Sequence, residues 1–379
     1  EEAFARQVLD VFLHGMNLLL VEPISTKATK EDGEWYDEYG VKYSADRMKL
    51  IRAPENLYGN YRVLDGTVVI CDDAFSGCRN LQEIILPSSI TSIGNRAFSG
   101  CRNLQEIILP SSVTSIGNGA FSSCTNLKEI ILPSSITSIG GGTFSGCTNL
   151  KEINIPSGVT RIGSKAIVRC TNLQKIILPS SVTNIGNYAF AGCANLQEII
   201  LPSSITSIGN GIFSNCSNLQ RINVAESNKF YKTIDGVLYT KDLKTIICYP
   251  EGKENGSFVI PLGVTSIGDR AFTDCKNLQE ITLPSGLTSI GNSAFESCKN
   301  LCKITLPSSV TSIGDFAFRD CRYLQEITIP SSVTSIGDNI FGGFYTYWHE
   351  NLKRINIPLG TFEKFKKLLP GWTHELHEV

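Results

Sequence analysis

Apolar residues recur along this chain in a fixed short phrase. Between Cys78 and Gly100 it reads CRNLQEIILPSSITSIGNRAFSG. Leu81, Ile84 and Leu86 fall at the spacing of a short strand that turns three side chains inward. Pro87 has no amide hydrogen and ends the ladder. Ile90 and Ile93 then open a second inward-facing stretch, rich in β-branched residues. Gly94 is expected to take a positive φ at the corner. Asn95 reads as the cap of a short helical turn whose Ala97 and Phe98 point inward. Asn118, Asn187, Asn210, Asn292, Asp269, Asp315 and Asp338 hold the same place in other copies.

The copies keep a constant length. Cys78, Cys101, Cys124, Cys147, Cys170, Cys193 and Cys216 are each 23 residues apart, and the step resumes at Cys275, Cys298 and Cys321. Pro87, Pro110, Pro133, Pro156, Pro179 and Pro202 follow it, then Pro261, Pro284, Pro307 and Pro330. Such a period means a solenoid, and it overrides a domain count made from length. One copy cannot bury its own apolar face, so stability comes from neighbours. The fold class is therefore mainly β with short helical turns: a solenoid of 23-residue repeats, with a β-hairpin insertion and capping elements at both ends.

The period breaks in three places. From Cys216 to Cys275 is 59 residues, one repeat plus 36. The extra piece holds two strand-like runs around Thr240-Lys241-Asp242-Leu243. Residues 39–64 echo it: Gly40, Tyr43, Asp46 and Pro54 match Gly236, Tyr239, Asp242 and Pro250 at an offset of 196, and the offset becomes 197 by Ile70 and Ile267. The N-terminal hairpin and the insertion thus read as two copies of one module. The first copy is expected to cover the open edge of the first rung and the second to project sideways; either could shield or touch a ligand. Phe4, Val8, Val11 and Phe12 predict a helix folded onto the N-terminal end. The segment lacks the pattern of a signal peptide, so an export signal is expected to lie outside the sequence. Near the other end the Cys position is Phe344, followed by Tyr345, Tyr347 and Trp348, an aromatic cluster that either caps the last rung or contacts a carbohydrate or protein. The expected organisation is a helical cap at 1–33, hairpin module and partial repeat at 34–77, repeats at 78–224, insertion at 225–261, repeats at 262–343 and a cap at 344–379.

Composition removes several functions. Lys plus Arg number 34 against 36 Asp plus Glu, a net charge of −2, so no bulk field draws nucleic acid or an anionic membrane. No run approaches the roughly 20 apolar residues of a membrane span. In-register cysteines would sit ~4.8 Å apart with parallel Cβ vectors, which suits small buried groups better than disulfides. Cys71, Cys248 and Cys302 lie outside the ladder and cannot be paired from sequence. No histidine lies between His14 and His349, so no repeat supplies its own Cys–His dyad. His374-Glu375-Leu376-His377 is one residue short of H-E-x-x-H and reads as a solvated tail. No catalytic residue, metal site or cofactor is expected.

What remains is surface. Alternation turns Glu83 and Ile85 outward. Down the copies, Ile85 becomes Ile108, Ile131, Asn154, Ile177, Ile200 and Asn223, then Thr282, Thr305 and Thr328. Ile85, Ile108, Ile131, Ile177 and Ile200 form the candidate binding face, since an apolar patch often marks an interaction site; repeat copying alone is the competing reading. Glu83, Glu106, Glu129 and Glu152 run beside it. Stacked carboxylates repel by on the order of 1 kcal/mol per pair in water, and Lys128 and Lys151 offset part of that, which favours a solvated acidic face over a cation site. Asn80, Asn103 and Asn126 are expected to satisfy turn amides.

The phrase C-x-x-L-x-x-I-x-L/I-P-x-x-V/I-x-x-I-G-x-x-A-F recurs about ten times from residue 63 to 358, and it resembles the BspA-like (treponemal-type) leucine-rich repeat family. The stretch IPLGTFEKFKKLLPGW is similar to that family's end-caps. The resemblance implies a bacterial surface or secreted protein acting as an adhesin or interaction module, and it does not imply an enzyme. The expected partner is a protein or glycan on host matrix or neighbouring cells. A structural spacer with no ligand and a homodimer contact through the isoleucines stay open as alternatives.

Overall fold

The computed structural model describes residues 30–31, 34–342 and 352–379. The chain divides into two compact units, Glu1–Val159 and Thr160–Val379. The sequence-predicted N-terminal helix and the cluster of Tyr345, Tyr347 and Trp348 lie outside the described residues. In each unit the chain coils into stacked turns, and every turn has three sides.

The first side is the strand that carries the L-x-x-I-x-L spacing. In unit 1, Tyr58–Arg62, Asn80–Ile85 and Glu106–Ile107 form a parallel sheet. In unit 2 the same side gives Glu198–Leu201 beside Arg221–Val224, and Ser257–Val259, Glu280–Thr282 and Lys303–Ile304 in a second parallel group. Two-residue strands make the second side, such as Ser92–Ile93 and Ser115–Ile116, paired Ser to Ser and Ile to Ile. Inside, like residues stack on like. Phe75, Phe98, Phe121 and Phe144 follow one another at ring separations of 5.1, 5.3 and 5.7 Å, within 7° of parallel. Unit 2 stacks Phe272, Phe295, Phe318 and Phe341 in the same way.

The third side departs from the sequence reading. The residues after each corner glycine form hydrogen-bonded turns, not helix. Every second amide is already committed to the following coil: Arg96 N donates to Asn118 O, Phe98 N to Ala120 O and Gly100 N to Ser122 O. The positive φ falls on Arg96 (51°) and Gly100 (75°), and Gly94 is not in that region. Gly94 is required for another reason. A Cβ there would lie 2.5 Å from Asp72 N and 2.6 Å from the carbonyl carbon of Cys71. Asn95 does not cap its own turn either. Its Oδ1 accepts from Asn118 N at 2.9 Å, and Asp72 Oδ1 accepts from Asn95 N at 2.6 Å. This column of Asn and Asp is a second ladder between coils, and in unit 2 it runs through Asp269, Asn292, Asp315 and Asp338. The asparagines after the cysteines behave likewise. Asn126 Nδ2 reaches Asn103 Oδ1 at 3.3 Å, and Asn149 Nδ2 reaches Asn126 Oδ1 at 3.2 Å, side chain to side chain.

Each unit also holds one hairpin module. In unit 1, Glu34–Tyr36, Lys42–Ser44 and Lys49–Arg52 are antiparallel neighbours, and the last of them joins Val69–Ile70 in parallel. In unit 2, Tyr231–Ile234, Val237–Thr240 and Thr245–Cys248 repeat this, the last joining Ser266–Ile267. The register shifts at Lys42/Tyr43 and at Leu238/Tyr239, 196 residues apart. Asp46 Oδ1 accepts from Met48 N at 3.0 Å, as Asp242 Oδ1 does from Lys244 N. The insertion does not simply project sideways. Its third strand enters the corner ladder because Ile246, fully buried, takes the place of the repeat isoleucine. At the C-terminal end, the short helix Phe362–Leu368 buries Phe365, Trp372 packs edge-on to Phe341 at 5.2 Å, and Leu376–Glu378 pairs in parallel with Arg354–Ile357.

Candidate functional site

Parallel in-register pairing turns the outward positions of the longer strands into columns. In unit 1, Glu83 pairs with Glu106, and a parallel bridge joins Ile108 to Ile131. Ile85, Ile108 and Ile131 therefore form one column and Glu83, Glu106 and Glu129 the next. Ile108 is 41% and Ile131 49% exposed. Ile85 and Glu83 are only half-buried, with Arg62 of the hairpin module paired to Ile85; Glu106 and Glu129 are exposed. The column ends at exposed Asn154. Lys128 Nζ donates to Gln105 Oε1 at 3.2 Å, which lays a positive charge alongside the carboxylates.

In unit 2, Ile177 is 48% and Ile200 62% exposed. Ile200 pairs with Asn223, and Glu198 pairs with Arg221 while accepting from Asn223 Nδ2. Charges of both signs flank this column. Further along, Val259 pairs with Thr282 and is 68% exposed. Sequence reasoning missed Val259, because the insertion supplies it. Its signal was the offset of 197 that aligns it with Arg62. Thr282 and Thr305 are exposed at the equivalent place, and Lys303 Nζ lies 3.8 Å from Glu280 Oε1.

The cysteines have a structural task. None of the thirteen is in a disulfide. In the ladder the thiols donate to carbonyls of the preceding coil: Cys101 Sγ to Phe75 O, Cys124 Sγ to Phe98 O and Cys147 Sγ to Phe121 O, each at 3.1 Å. In unit 2, Cys298 Sγ reaches Phe272 O at 2.9 Å and Cys321 Sγ reaches Phe295 O at 3.1 Å. Burial pushes the Cys78 and Cys147 thiols up to about 12. Burial raises those of Cys101, Cys124, Cys193, Cys216, Cys298 and Cys321 well above the ordinary 9.0. A nucleophilic cysteine needs the opposite shift. Cys302 is exposed on the strand face, and His374 and His377 are exposed near the C-terminus. Among the described residues no group of three or more His, Cys, Asp or Glu is placed to hold a metal ion. No helix among them is long and apolar enough to cross a membrane.

Comparison with known proteins follows the same lines. The model of the BspA type leucine rich repeat region (6 copies) matches residues 60–173, 142–252 and 247–367. A search of curated proteins found no match. Among solved structures, a leucine-rich cell surface protein from Faecalibacterium prausnitzii is 28% identical with a TM-score of 0.67, over 86% of this chain and 98% of that one. A leucine-rich repeat protein from Bacteroides ovatus is 26% identical with a TM-score of 0.56, over 95% and 99%. The pneumococcal vaccine antigen PcpA shares the fold at 20% identity and a TM-score of 0.58, over 93% and 97%. With the 23-residue coil, its thiol and phenylalanine ladders and a family match running from residue 60 to 367, the chain belongs to the BspA-type leucine-rich repeat family.

Proposed function

We propose that this protein is a non-catalytic, cell-surface or secreted interaction scaffold, which holds a protein or glycan partner against the outward face of its longer strands. The contact residues are Ile85, Ile108 and Ile131 with Glu83, Glu106 and Glu129 in unit 1, and Ile177 and Ile200 in unit 2. One observation carries this reading. At the same outward position the fold accepts Asn154, Asn223, Thr282 and Thr305, so packing does not demand isoleucine, yet four isoleucines stand 41–62% exposed there. Exposed apolar columns rimmed by charge are the usual form of an interaction surface. The F. prausnitzii relative is titled a cell surface protein, which supports the same location here.

The test is an array of glycans and matrix proteins probed with the whole chain and with an Ile108→Ser, Ile131→Ser, Ile177→Ser variant. The variant is expected to lose binding with an unchanged melting temperature. Undiminished binding removes the isoleucine columns from the function. That the isoleucines give way to Asn154 in unit 1 and to Asn223 in unit 2 favours a second reading, a spacer whose face has no ligand. An array on which the unaltered chain captures nothing supports it, and a dimer in light scattering that Ile→Ser dissociates points to self-association.

A further inference from the structure

Unit 2 contains a feature that the strand face does not use. Where the inserted module meets the turns on either side, a cavity of about 10 Å³ opens between the turn at 209–214, the strand end at 247–251 and the turn at 270–273. Ser214 Oγ, Tyr249 OH and Glu251 Oε2 are buried without a hydrogen-bond partner. All three belong to residues that line this cavity and are more than nine-tenths buried. An orphaned buried polar group is costly, so three of them on residues lining one void point to an occupant. The volume suits a single water. With Glu251 protonated, a water can accept from Oε2–H and from one hydroxyl while donating to the other hydroxyl oxygen, leaving none of the three unpaired; ionisation removes the carboxyl donor. A cation fits worse, because Arg270 is one of the lining residues and Lys276 Nζ already holds Glu251 Oε1 at 3.1 Å.

We propose that this cavity is a buried binding site for one water molecule, and that the bridge it makes among Ser214, Tyr249 and Glu251 is a proton-sensitive joint seating the inserted module. The joint spans the fold: Gly252 N donates to Leu219 O at 2.8 Å and Tyr249 N to Ala271 O at 2.7 Å, which ties the module to the coils on both sides. Burial pushes the Glu251 carboxyl up to about 7, the Lys276 ammonium opposing it and Asp274 reinforcing it. Asp274 is itself raised by burial. Arg270 is committed to Glu296 at 3.0 Å and lies over the Tyr188 ring. The Cys216, Cys248 and Cys275 thiols are raised and stay neutral, and Lys253 is held by Asp235 O at 2.7 Å. The sign follows. With a folded pKa above the unfolded 4.5, the joint is firm below pH 4.5 and loosens as pH rises through about 7.

Hydrogen exchange on the whole chain tests this, reading the Tyr249 and Gly252 amides against the Phe295 and Phe318 amides as an internal reference. From pH 5.5 to 8.5, after correction for intrinsic exchange, the module amides are expected to lose on the order of 10- to 30-fold more protection than the reference. Glu251→Gln is expected to abolish that difference. Tyr249→Phe, which keeps the ring, is expected to lower module protection at pH 5.5 while leaving the reference unchanged. A difference that persists in Glu251→Gln, or is missing from the unaltered chain, overturns the joint. A crystal structure showing one water within hydrogen-bond reach of all three oxygens supports the site, and an empty cavity or a metal ion there overturns it.

Discussion

Gly286 and Gly291 stand in the same turn and face different constraints. A Cβ on Gly286 would meet nothing within 4 Å, whereas one on Gly291 would lie 2.6 Å from Asp269 N and 2.7 Å from the carbonyl carbon of Gly268. Neither has a positive φ. Gly286→Ala removes freedom from the unfolded chain and is expected to raise stability by up to ~1 kcal/mol. Gly291→Ala drives a methyl into the backbone of the preceding coil, which cannot yield as a side-chain tip can, and is expected to cost ~1–3 kcal/mol or more. Urea unfolding of the two variants measures the contrast. Equal effects would mean that corner glycines answer to backbone conformation and not to the approach of the next coil.

At the scale of the element, the two hairpin modules share a backbone and differ in what anchors them. In the first, Tyr61 OH donates to Asp37 Oδ2 at 2.5 Å and shares a 2.6 Å hydrogen bond with Tyr43 OH, while Asp37 Oδ1 accepts from Val41 N at 2.8 Å. Thr233 and Phe258 stand at the corresponding places in the second, where Tyr249 packs on Phe258 at 4.8 Å and on Phe272 at 5.2 Å. Tyr61→Phe should thus strip a buried carboxyl of its donor and cost ~1–3 kcal/mol, with faster exchange of the Val41 amide as its local sign. If exchange there is unchanged, packing and not the polar lock holds the module. The modules were legible as copies because Gly40, Asp46 and Pro54 recur at one offset, and each has a fixed backbone role. Their chemistry was not legible, since Asp37 and Tyr61 carry no repeat signal. The same limit applies to the corner. Asn95 and Gly94 are the residue types of a helix cap and a positive φ, and also those of an interchain-like ladder and a close backbone approach. One sequence cannot separate the two. Alternation alone located the Ile108 and Ile131 column. Val259 and the Glu251 cavity arise where the period breaks, so no repeat position announced them.

At the scale of the molecule, a repeat multiplies whatever one residue does. The cysteine ladder shows it most clearly, because burial raises thiol after thiol above the ordinary 9.0. Above pH 9 the unfolded chain loses these protons while the fold retains them. The stability that goes with each thiol is therefore intact below pH 9 and is lost as pH rises from there towards the folded value, by ~1.4 kcal/mol per pH unit per group. A single buried cysteine would give a shallow alkaline slope; a ladder gives a steep one. Tyr43, Tyr61, Tyr239 and Tyr249, also raised by burial, add to it from pH 10 upward. Under reducing conditions, the urea midpoint is expected to fall sharply between pH 8.5 and 10. Cys124→Ser with Cys298→Ser keeps a donor for the Phe98 and Phe272 carbonyls but removes two titrating groups, so the slope should ease while stability at pH 7 changes little. An unaltered slope in that variant would place the alkaline sensitivity elsewhere, and the thiols would then matter only as hydrogen-bond donors between coils.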